Sequence, residues 1–252
     1  MDINSMLAIA AAILGLLVGS FLNVVIYRTP RGENIAFPAS HCPSCNTPLK
    51  WYHNIPLLSW IFLGGKCAYC KEPISKQYPI VELLNALLWF GLFLKIGAVW
   101  YFPFVAASFS ALLALSAIDI KYMAVPDSVN FFALVMALVS PKILHLDWSN
   151  PILDAAVAAG GLWALAKIIA LVARKEAMGG ADVIVAGTMA ALLGFPGFFI
   201  AIFLSAIIAI IPSLLAKDTM VPFVPFLAIA TLIVYLFDSQ AASLLNSIIY
   251  RQ

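Results

Sequence analysis

The chain has 252 residues, of which 63% are hydrophobic and only 10% are charged, and its mean hydropathy is +1.02. A soluble domain usually carries about 25% charged residues, so this composition excludes a wholly soluble protein. The formal net charge of +2 is too small to indicate a nucleic-acid partner. The composition predicts an all-α polytopic membrane protein.

Eight hydrophobic segments are long enough to cross, or nearly cross, a bilayer core about 30 Å thick. Their approximate spans are residues 5–27, 79–97, 101–119, 128–146, 152–173, 182–194, 196–216 and 221–237. The first segment lacks a basic start and a small-residue cleavage pattern, so we expect a retained helix. The sixth segment is short, and Gly194, Pro196 and Gly197 mark a bend before the seventh.

The distribution of basic residues predicts the orientation of these segments. Eight crossings place both termini on one side of the membrane. If the termini lie outside, the inner loops hold Arg28, Arg31, Lys50, Lys66, Lys71, Lys76, Lys121, Arg174, Lys175 and Lys217, and the outer parts hold only Lys95, Lys142 and Arg251. Because cytoplasmic loops are rich in lysine and arginine, the termini are predicted to be outside and residues 28–78 cytoplasmic.

The loop at about residues 28–78 carries all the cysteines of the chain, in two Cys-x-x-Cys pairs: Cys42, Cys45, Cys67 and Cys70. Two such pairs about twenty residues apart are typical of a structural tetrahedral zinc site with four cysteine ligands. Two disulfides are the alternative, which we disfavour because cytoplasmic thiols stay reduced. His41 and His53 flank the cysteines and are interpreted as bystanders.

Two aspartates, Asp119 and Asp182, lie where hydrophobic segments meet short polar turns on the predicted cytoplasmic side. A carboxylate at the edge of a bilayer is rarely left without a partner or a function. Two carboxylates that share one proton can act as base and acid in an aspartyl protease. Helix capping is the alternative, and it suits Asp182 and especially Asp127, but it does not suit Asp119 at a helix C-terminus.

Several motifs together resemble those of the type IV prepilin peptidases. They are Gly19-Ser20-Phe21-Leu22-Asn23-Val24-Val25-Ile26-Tyr27-Arg28, the paired Cys-x-x-Cys motifs, Gln77-Tyr78-Pro79-Ile80-Val81-Glu82-Leu83-Leu84, Ile118-Asp119 followed by Val125-Pro126-Asp127-Ser128-Val129, Gly179-Gly180-Ala181-Asp182, and Pro222-Phe223-Val224-Pro225-Phe226. Their order and spacing match the family over nearly the whole chain.

The resemblance implies a bifunctional enzyme of the bacterial inner membrane, with Asp119 and Asp182 as its catalytic residues. Such an enzyme removes the leader from type IV prepilins or pseudopilins and then methylates the new N-terminal residue. S-adenosylmethionine as methyl donor is implied by the resemblance alone. We expect residues 1–98 to form a methyltransferase-associated part that includes the zinc loop, and residues 99–252 to form a six-helix peptidase domain.

Asn23, Arg28 and Glu82 are our candidates for the methyl-transfer site, together with the zinc loop. A carboxylate such as Glu82 can hold the substrate ammonium or accept its proton. Each residue also has a structural alternative. Asn23 can hydrogen-bond between helices, Arg28 can anchor the first helix at lipid phosphates, and Glu82 suits a first helical turn.

Four positions depart from the family pattern, in which glycine stands at 177, 181 and 224 and lysine at 184; here they are Ala177, Ala181, Val224 and Ile184. If the motif requires a positive φ at position 181, cleavage is impaired. If it requires only close packing, which we favour, alanine serves.

The alternatives to the bifunctional enzyme are a peptidase without methyl transfer, such as a preflagellin peptidase, a weakened or non-enzymatic scaffold with a zinc module, and a transporter with a carboxylate relay.

Overall fold

The structure is a computed structural model that describes residues 2–139, 150–173, 179–215 and 221–238. Within these residues there are helices and two isolated backbone bridges, but no strand. The α-helices are α1 Ile3–Arg28, α2 Leu58–Phe62, α3 Gln77–Ile96, α4 Phe102–Tyr122, α5 Asp127–Leu138, α6 Pro151–Ala173, α7 Gly180–Leu193, α8 Gly197–Leu215 and α9 Val224–Leu236. The prediction of an all-α protein is confirmed.

Five of these helices, α1, α3, α4, α6 and α8, are long and apolar enough to cross a membrane, and α5, α7 and α9 are shorter apolar helices. Together they correspond to the eight predicted segments, so the prediction of a multi-pass membrane protein is confirmed. Residues 140–146 of the predicted fourth segment lie outside the described residues. So do five of the basic residues used for the orientation: Lys142, Arg174, Lys175, Lys217 and Arg251.

The chain divides into two compact units, and Met1–Val99 is the first. Here α1 packs along α3, and two glycines of α1 permit the close approach. A Cβ atom on Gly15 would lie 2.8 Å from Cβ of Trp89, and one on Gly19 would lie 2.8 Å from Cα of Glu82. These distances are shorter than real contacts, so only glycine fits at this interface.

The second unit is Trp100–Gln252, and α7 lies at its centre. Every residue of α7 from Val185 to Leu193 is buried, by α5, α6, α8 and α9. The helix α4 packs against α5 and α9, where the rings of Phe109 and Tyr235 meet edge to face, 5.2 Å apart. The chain turns from α7 into α8 at Gly194, whose φ of +66° favours glycine.

Candidate active and metal-binding sites

Asp119 is buried in the last turn of α4, 6% exposed. We expected the helix to end at this residue, but it continues to Tyr122 and ends where Met123 adopts a left-handed conformation. The N–H of Met123 donates to the carbonyl of Asp119 at 2.9 Å. The side chain is held separately, because its Oδ2 accepts a hydrogen bond of 3.1 Å from the N–H of Val224.

That hydrogen bond connects Asp119 to the start of α9, because Val224 is the first residue of this helix. The first N–H groups of a helix have no partner within the helix, and the helix dipole favours negative charge there. The Asp119 carboxylate therefore satisfies an N-terminal amide of α9 from another helix. This contact orients the carboxylate across a sequence separation of 105 residues.

Asp182 lies in the first turn of α7, half-buried, with its carboxylate against the backbone of Gly179. Its charge interacts with that of Asp119. The structure thus brings together the two aspartates that the sequence analysis singled out, at one end of the second unit. Two carboxylates whose charges interact can divide the roles of base and acid.

Asn130 is a polar residue near this pair that our sequence analysis missed. It lies in α5, fully buried, and its Nδ2 donates to the carbonyl of Ala181 at 2.9 Å. Its Oδ1 has no hydrogen-bond partner among the described residues. The available signal was an asparagine at the third position after Asp127 in an otherwise apolar helix. Asn130 connects α5 to the residue that immediately precedes Asp182.

The capping alternative has a different outcome for Asp127 and for Asp182. Asp127 is the first residue of α5, the N-cap position is Pro126, and no side chain forms a capping hydrogen bond there. Our suggestion of Asp127 as a capping residue is therefore wrong. At α7 the N-cap is Gly179, likewise without a side-chain cap. Asp182, the third residue of α7, accepts a hydrogen bond from the backbone of this N-cap residue and adds a negative charge that the helix dipole favours, so the capping alternative for Asp182 stays open.

The four cysteine sulfurs of the loop, Cys42, Cys45, Cys67 and Cys70, all lie within 4.8 Å of one another, and none of the four is in a disulfide. Sulfurs that surround a zinc ion at about 2.3 Å in a tetrahedron are about 3.8 Å apart. The sulfurs of Cys42 and Cys70 are 3.8 Å apart. The cluster can hold a metal ion, and His41 and His53 are not part of it.

The first cysteine pair lies in a compact turn that backbone hydrogen bonds hold together. The N–H of Cys42 donates to the carbonyl of Thr47 at 3.1 Å, and the N–H of Asn46 donates to the carbonyl of Cys42 at 2.8 Å. Asn46 has a φ of +54°, and an antiparallel bridge joins His41 to Pro48. These contacts direct the sulfurs of the pair toward one point.

The second cysteine pair repeats the same turn. The N–H of Cys67 donates to the carbonyl of Glu72 at 2.8 Å, and the N–H of Lys71 donates to the carbonyl of Cys67 at 3.2 Å. Lys71 has a φ of +63°, and a bridge joins Lys66 to Pro73. Two equivalent turns that face each other are what a four-sulfur metal site requires.

The thiols of the cluster do not ionise alike. Hydrogen bonds with the side chain and backbone of Thr47 lower the pKa of Cys45 to about 6. A hydrogen bond from the backbone of Glu72 favours the thiolate of Cys70, but desolvation and the neighbouring sulfurs outweigh it and raise its pKa to about 12. A cation would be needed to hold all four sulfurs as thiolates, the form that binds metal.

The three candidate methyl-transfer residues all belong to the first unit, where Glu82 and Asn23 line the contact between α1 and α3. Glu82 is 6% exposed, and its Oε2 accepts a hydrogen bond of 2.7 Å from the N–H of Leu57 in the loop that carries the cysteines. Asn23 is 1% exposed, and its Nδ2 donates to the carbonyl of Tyr78 at 3.2 Å. The Oδ1 of Asn23 is buried without a hydrogen-bond partner in the described part of the chain.

Arg28 has a different environment. It is 6% exposed, and its guanidinium donates to the carbonyl of Asn34 at 3.0 Å and to that of Pro38 at 2.7 Å. The side chain thus holds the segment after α1 against the end of that helix. This burial contradicts the alternative in which Arg28 lies at lipid phosphates.

Comparisons with known proteins agree with this arrangement. Residues 13–96 match the family model "Bacterial Peptidase A24 N-terminal domain", and residues 106–214 match "Type IV leader peptidase family". A prepilin leader peptidase/N-methyltransferase of Xanthomonas campestris pv. campestris is 35% identical, over 92% of this chain and 91% of the relative. The chain belongs to the type IV leader peptidase family.

Other relatives in the family extend the match. A prepilin leader peptidase/N-methyltransferase of Stutzerimonas stutzeri is 32% identical, over 92% of this chain and 91% of the relative. The type 4 prepilin-like proteins leader peptide-processing enzyme of Escherichia coli is 35% identical, over 74% of this chain and 77% of the relative. No solved structure matches the chain. The family consists of enzymes, and this member is accordingly an enzyme.

The structure accounts for two of the departures from the motif, Ala181 and Val224; Ala177 lies outside the described residues. Ala181 lies within the first turn of α7, so its position does not require a positive φ. Val224 contacts Asp119 through its backbone N–H, which valine and glycine both supply. Ile184 is half-buried in α7, and nothing in the structure explains its replacement of lysine.

Proposed function

We propose that this protein cleaves the leader from type IV prepilins or pseudopilins with Asp119 and Asp182, and then N-methylates the new N-terminal residue. The observation that carries the proposal is the placement of the two aspartates in the second unit, with Asp119 oriented by the N–H of Val224 and Asp182 in the first turn of α7, close enough for their charges to interact. The names of the relatives support the choice of substrate and of both reactions.

In the cleavage step one aspartate takes a proton from water as the water attacks the scissile carbonyl. The other, protonated, donates its proton to the carbonyl oxygen. The first aspartate then gives the proton that it took from water to the leaving amine, and the second regains its own as the carbonyl re-forms. The N–H of Val224 fixes the orientation of the Asp119 carboxylate, and the first turn of α7 fixes that of Asp182. Positioned general acid–base catalysis contributes about 10²–10⁴-fold.

For the methyl-transfer step we propose Asn23, Glu82 and Arg28. S-adenosylmethionine supplies the methyl group when it is bound. The buried Oδ1 of Asn23, which has no hydrogen-bond partner among the described residues, is suited to accept from an ammonium or another donor. Glu82 connects α3 to the loop through Leu57, and Arg28 holds residues 34–38, so both support the loop beside Asn23.

Zinc is the metal that we propose for the cysteine cluster, because four thiolates at tetrahedral spacing suit this ion. A loop of this size has little core of its own, so the ion contributes directly to its folding. The ligands are Cys42, Cys45, Cys67 and Cys70, and zinc has a structural role there.

We place the enzyme in the bacterial inner membrane, in contact with lipid, with its termini outside and the zinc loop and aspartates on the cytoplasmic side. The basic residues of loop 28–78 support this orientation. Residues 1–98 carry methyl transfer and residues 99–252 carry the peptidase. A nucleic-acid partner has no support in the charge of the chain.

The experiment is mass spectrometry of a prepilin that is incubated with the purified protein and S-adenosylmethionine. We expect loss of the leader and the addition of one methyl group. Asp119→Asn and Asp182→Asn should each reduce cleavage by at least about 100-fold while the zinc content is retained. Retained cleavage in either variant contradicts the aspartyl mechanism.

The methyl-transfer assignment needs its own variant. Glu82→Gln should reduce methylation of a leader-free pilin while cleavage continues. A normal methylation rate in Glu82→Gln contradicts a direct role for this carboxylate.

The cleavage experiment has a further outcome. If the protein leaves the prepilin uncleaved while an active peptidase in parallel cleaves it, other prepilins must be tried before the scaffold alternative is adopted.

A further inference from the structure

The short helix α2 in the zinc loop exposes one apolar face. Leu58, Ile61 and Phe62, spaced as neighbours on one side of a helix, are 52%, 62% and 84% exposed. Large apolar side chains that cluster on a surface usually mark an interaction site. This face therefore requires a partner.

The opposite side of α2 is attached to the loop. The ring of Trp60 packs over Gly65, where an added Cβ would lie 2.9 Å from it, and its Nε1 donates to the carbonyl of Ile74 at 3.4 Å. Gly65 and Ile74 flank the second cysteine turn. Because Trp60 fixes the rotation of α2, the loop cannot bury Phe62 by turning the helix.

The position of α2 along the membrane-spanning helix α3 identifies the partner. The N–H of Leu57, directly before α2, donates to Glu82 at 2.7 Å. Glu82 is the sixth residue of α3, about 7.5 Å from the helix start at a rise of 1.5 Å per residue. The interfacial layer is about 5–7 Å thick on each side of the bilayer core. Because the 20 residues of α3 span about 30 Å, the thickness of the bilayer core, Glu82 and the start of α2 lie within about two helical turns of the end of α3 at the membrane surface.

The charges of the loop also favour a lipid surface. Residues 29–76 contain five basic residues, Arg31, Lys50, Lys66, Lys71 and Lys76, and two acidic residues, Glu33 and Glu72, all of them exposed. Basic residues beside a membrane helix are attracted to anionic headgroups. An apolar face flanked by lysines is typical of a segment that lies in the interface.

We propose that α2 is an interfacial anchor, whose Leu58, Ile61 and Phe62 insert into the leaflet on the side of the zinc loop. The partner is the phospholipid bilayer itself. The anchor holds the metal-binding loop flat against the membrane surface. This proposal does not depend on the enzymatic reactions, and it holds for either orientation of the chain.

Photo-crosslinking of the full-length protein tests the proposal. The photoreactive residue p-benzoylphenylalanine replaces Phe62, and the purified protein is reconstituted in vesicles of phosphatidylethanolamine and phosphatidylglycerol. Illumination should add the mass of one phospholipid to the peptide that contains residue 62. Thermal unfolding of the variant in detergent, compared with that of the unmodified protein, checks that it is folded.

Two aromatic positions provide matched controls. Phe21, 50% exposed on the membrane-spanning helix α1, should give the same lipid adduct, and Tyr69, 42% exposed between the cysteines of the second turn, should give much less. If the Phe62 variant does not accumulate, Ile61 on the same face replaces it. The proposal is overturned if position 62 crosslinks to another part of the chain or to a second copy. It is also overturned if position 62 gives no lipid adduct while position 21 does.

Discussion

The carboxylate of Asp119 in α4 accepts a hydrogen bond of 3.1 Å from the backbone N–H of Val224, the first residue of α9. Asp119 thereby joins the ends of two helices that are distant in sequence. The start of α9 orients the carboxylate and favours its negative charge. The contact also gives the Pro222–Phe226 motif a physical function, which is to present a backbone donor to Asp119.

Val224→Gly should leave cleavage by the folded protein close to the original rate, because glycine retains the N–H that contacts Asp119. The variant should be less thermostable, because the valine side chain is 1% exposed and its removal leaves a cavity. Cleavage rates and thermal unfolding in the same detergent measure the two effects. A large loss of activity without a loss of stability would show that the valine side chain itself supports Asp119.

Asn130→Ala should reduce cleavage by about 10–100-fold, because small displacements of a reacting group are costly and Asn130 holds the residue before Asp182. The loss of stability should be small, about 0.6 kcal/mol for one hydrogen bond between membrane helices. Ser108→Ala is the control, because Ser108 donates to Ala133 at 2.8 Å and also joins α5 to a neighbour. Equal losses of activity in both variants would mean that Asn130 has only a general packing role.

Replacement of Cys42 and Cys45 by serine should release the metal and unfold the loop, because two of the four sulfurs are lost. Metal content by mass spectrometry and protease sensitivity of the loop measure this. His41→Ala and His53→Ala should keep the full metal content. An unchanged content in the double cysteine variant would rule out the four-cysteine site.

Asn23→Ala should abolish methylation of a leader-free pilin with little effect on cleavage, because it removes the buried Oδ1 that we assign to the methyl-transfer site. Asn85→Ala is the matched control. Asn85 is also buried between α1 and α3, where its Nδ2 donates to the carbonyl of Gly15 at 2.7 Å. The assignment fails if both variants lose methylation equally.

Gly19→Ala should destabilise the pair of α1 and α3 by about 1–3 kcal/mol, because the added Cβ would lie 2.8 Å from Cα of Glu82 and the backbone must move. Gly91→Ala in α3 is the control, since an added Cβ there meets no atom within 4 Å. Thermal unfolding of both variants in detergent checks this. Similar stabilities would contradict close packing at Gly19.

Some features of the site were predictable because their signals are local. Each Cys-x-x-Cys pair forms its own turn, so the spacing alone predicted four sulfurs that meet at one point. The aspartates at the ends of apolar segments were also visible, and the structure brings them together. Asn130 was missed because a single asparagine in an apolar helix usually forms an ordinary hydrogen bond between helices.

The sequence by itself determined that this protein crosses a membrane with helices, because a bilayer offers no hydrogen bonds and each segment must satisfy its own backbone. It also determined where the cysteines and aspartates lie along those helices. Only the tertiary structure decided that Val224 contacts Asp119, that Leu57 contacts Glu82 and that Phe62 faces outward. These relationships depend on which helix faces pack together, and periodicity along one segment does not specify its neighbour.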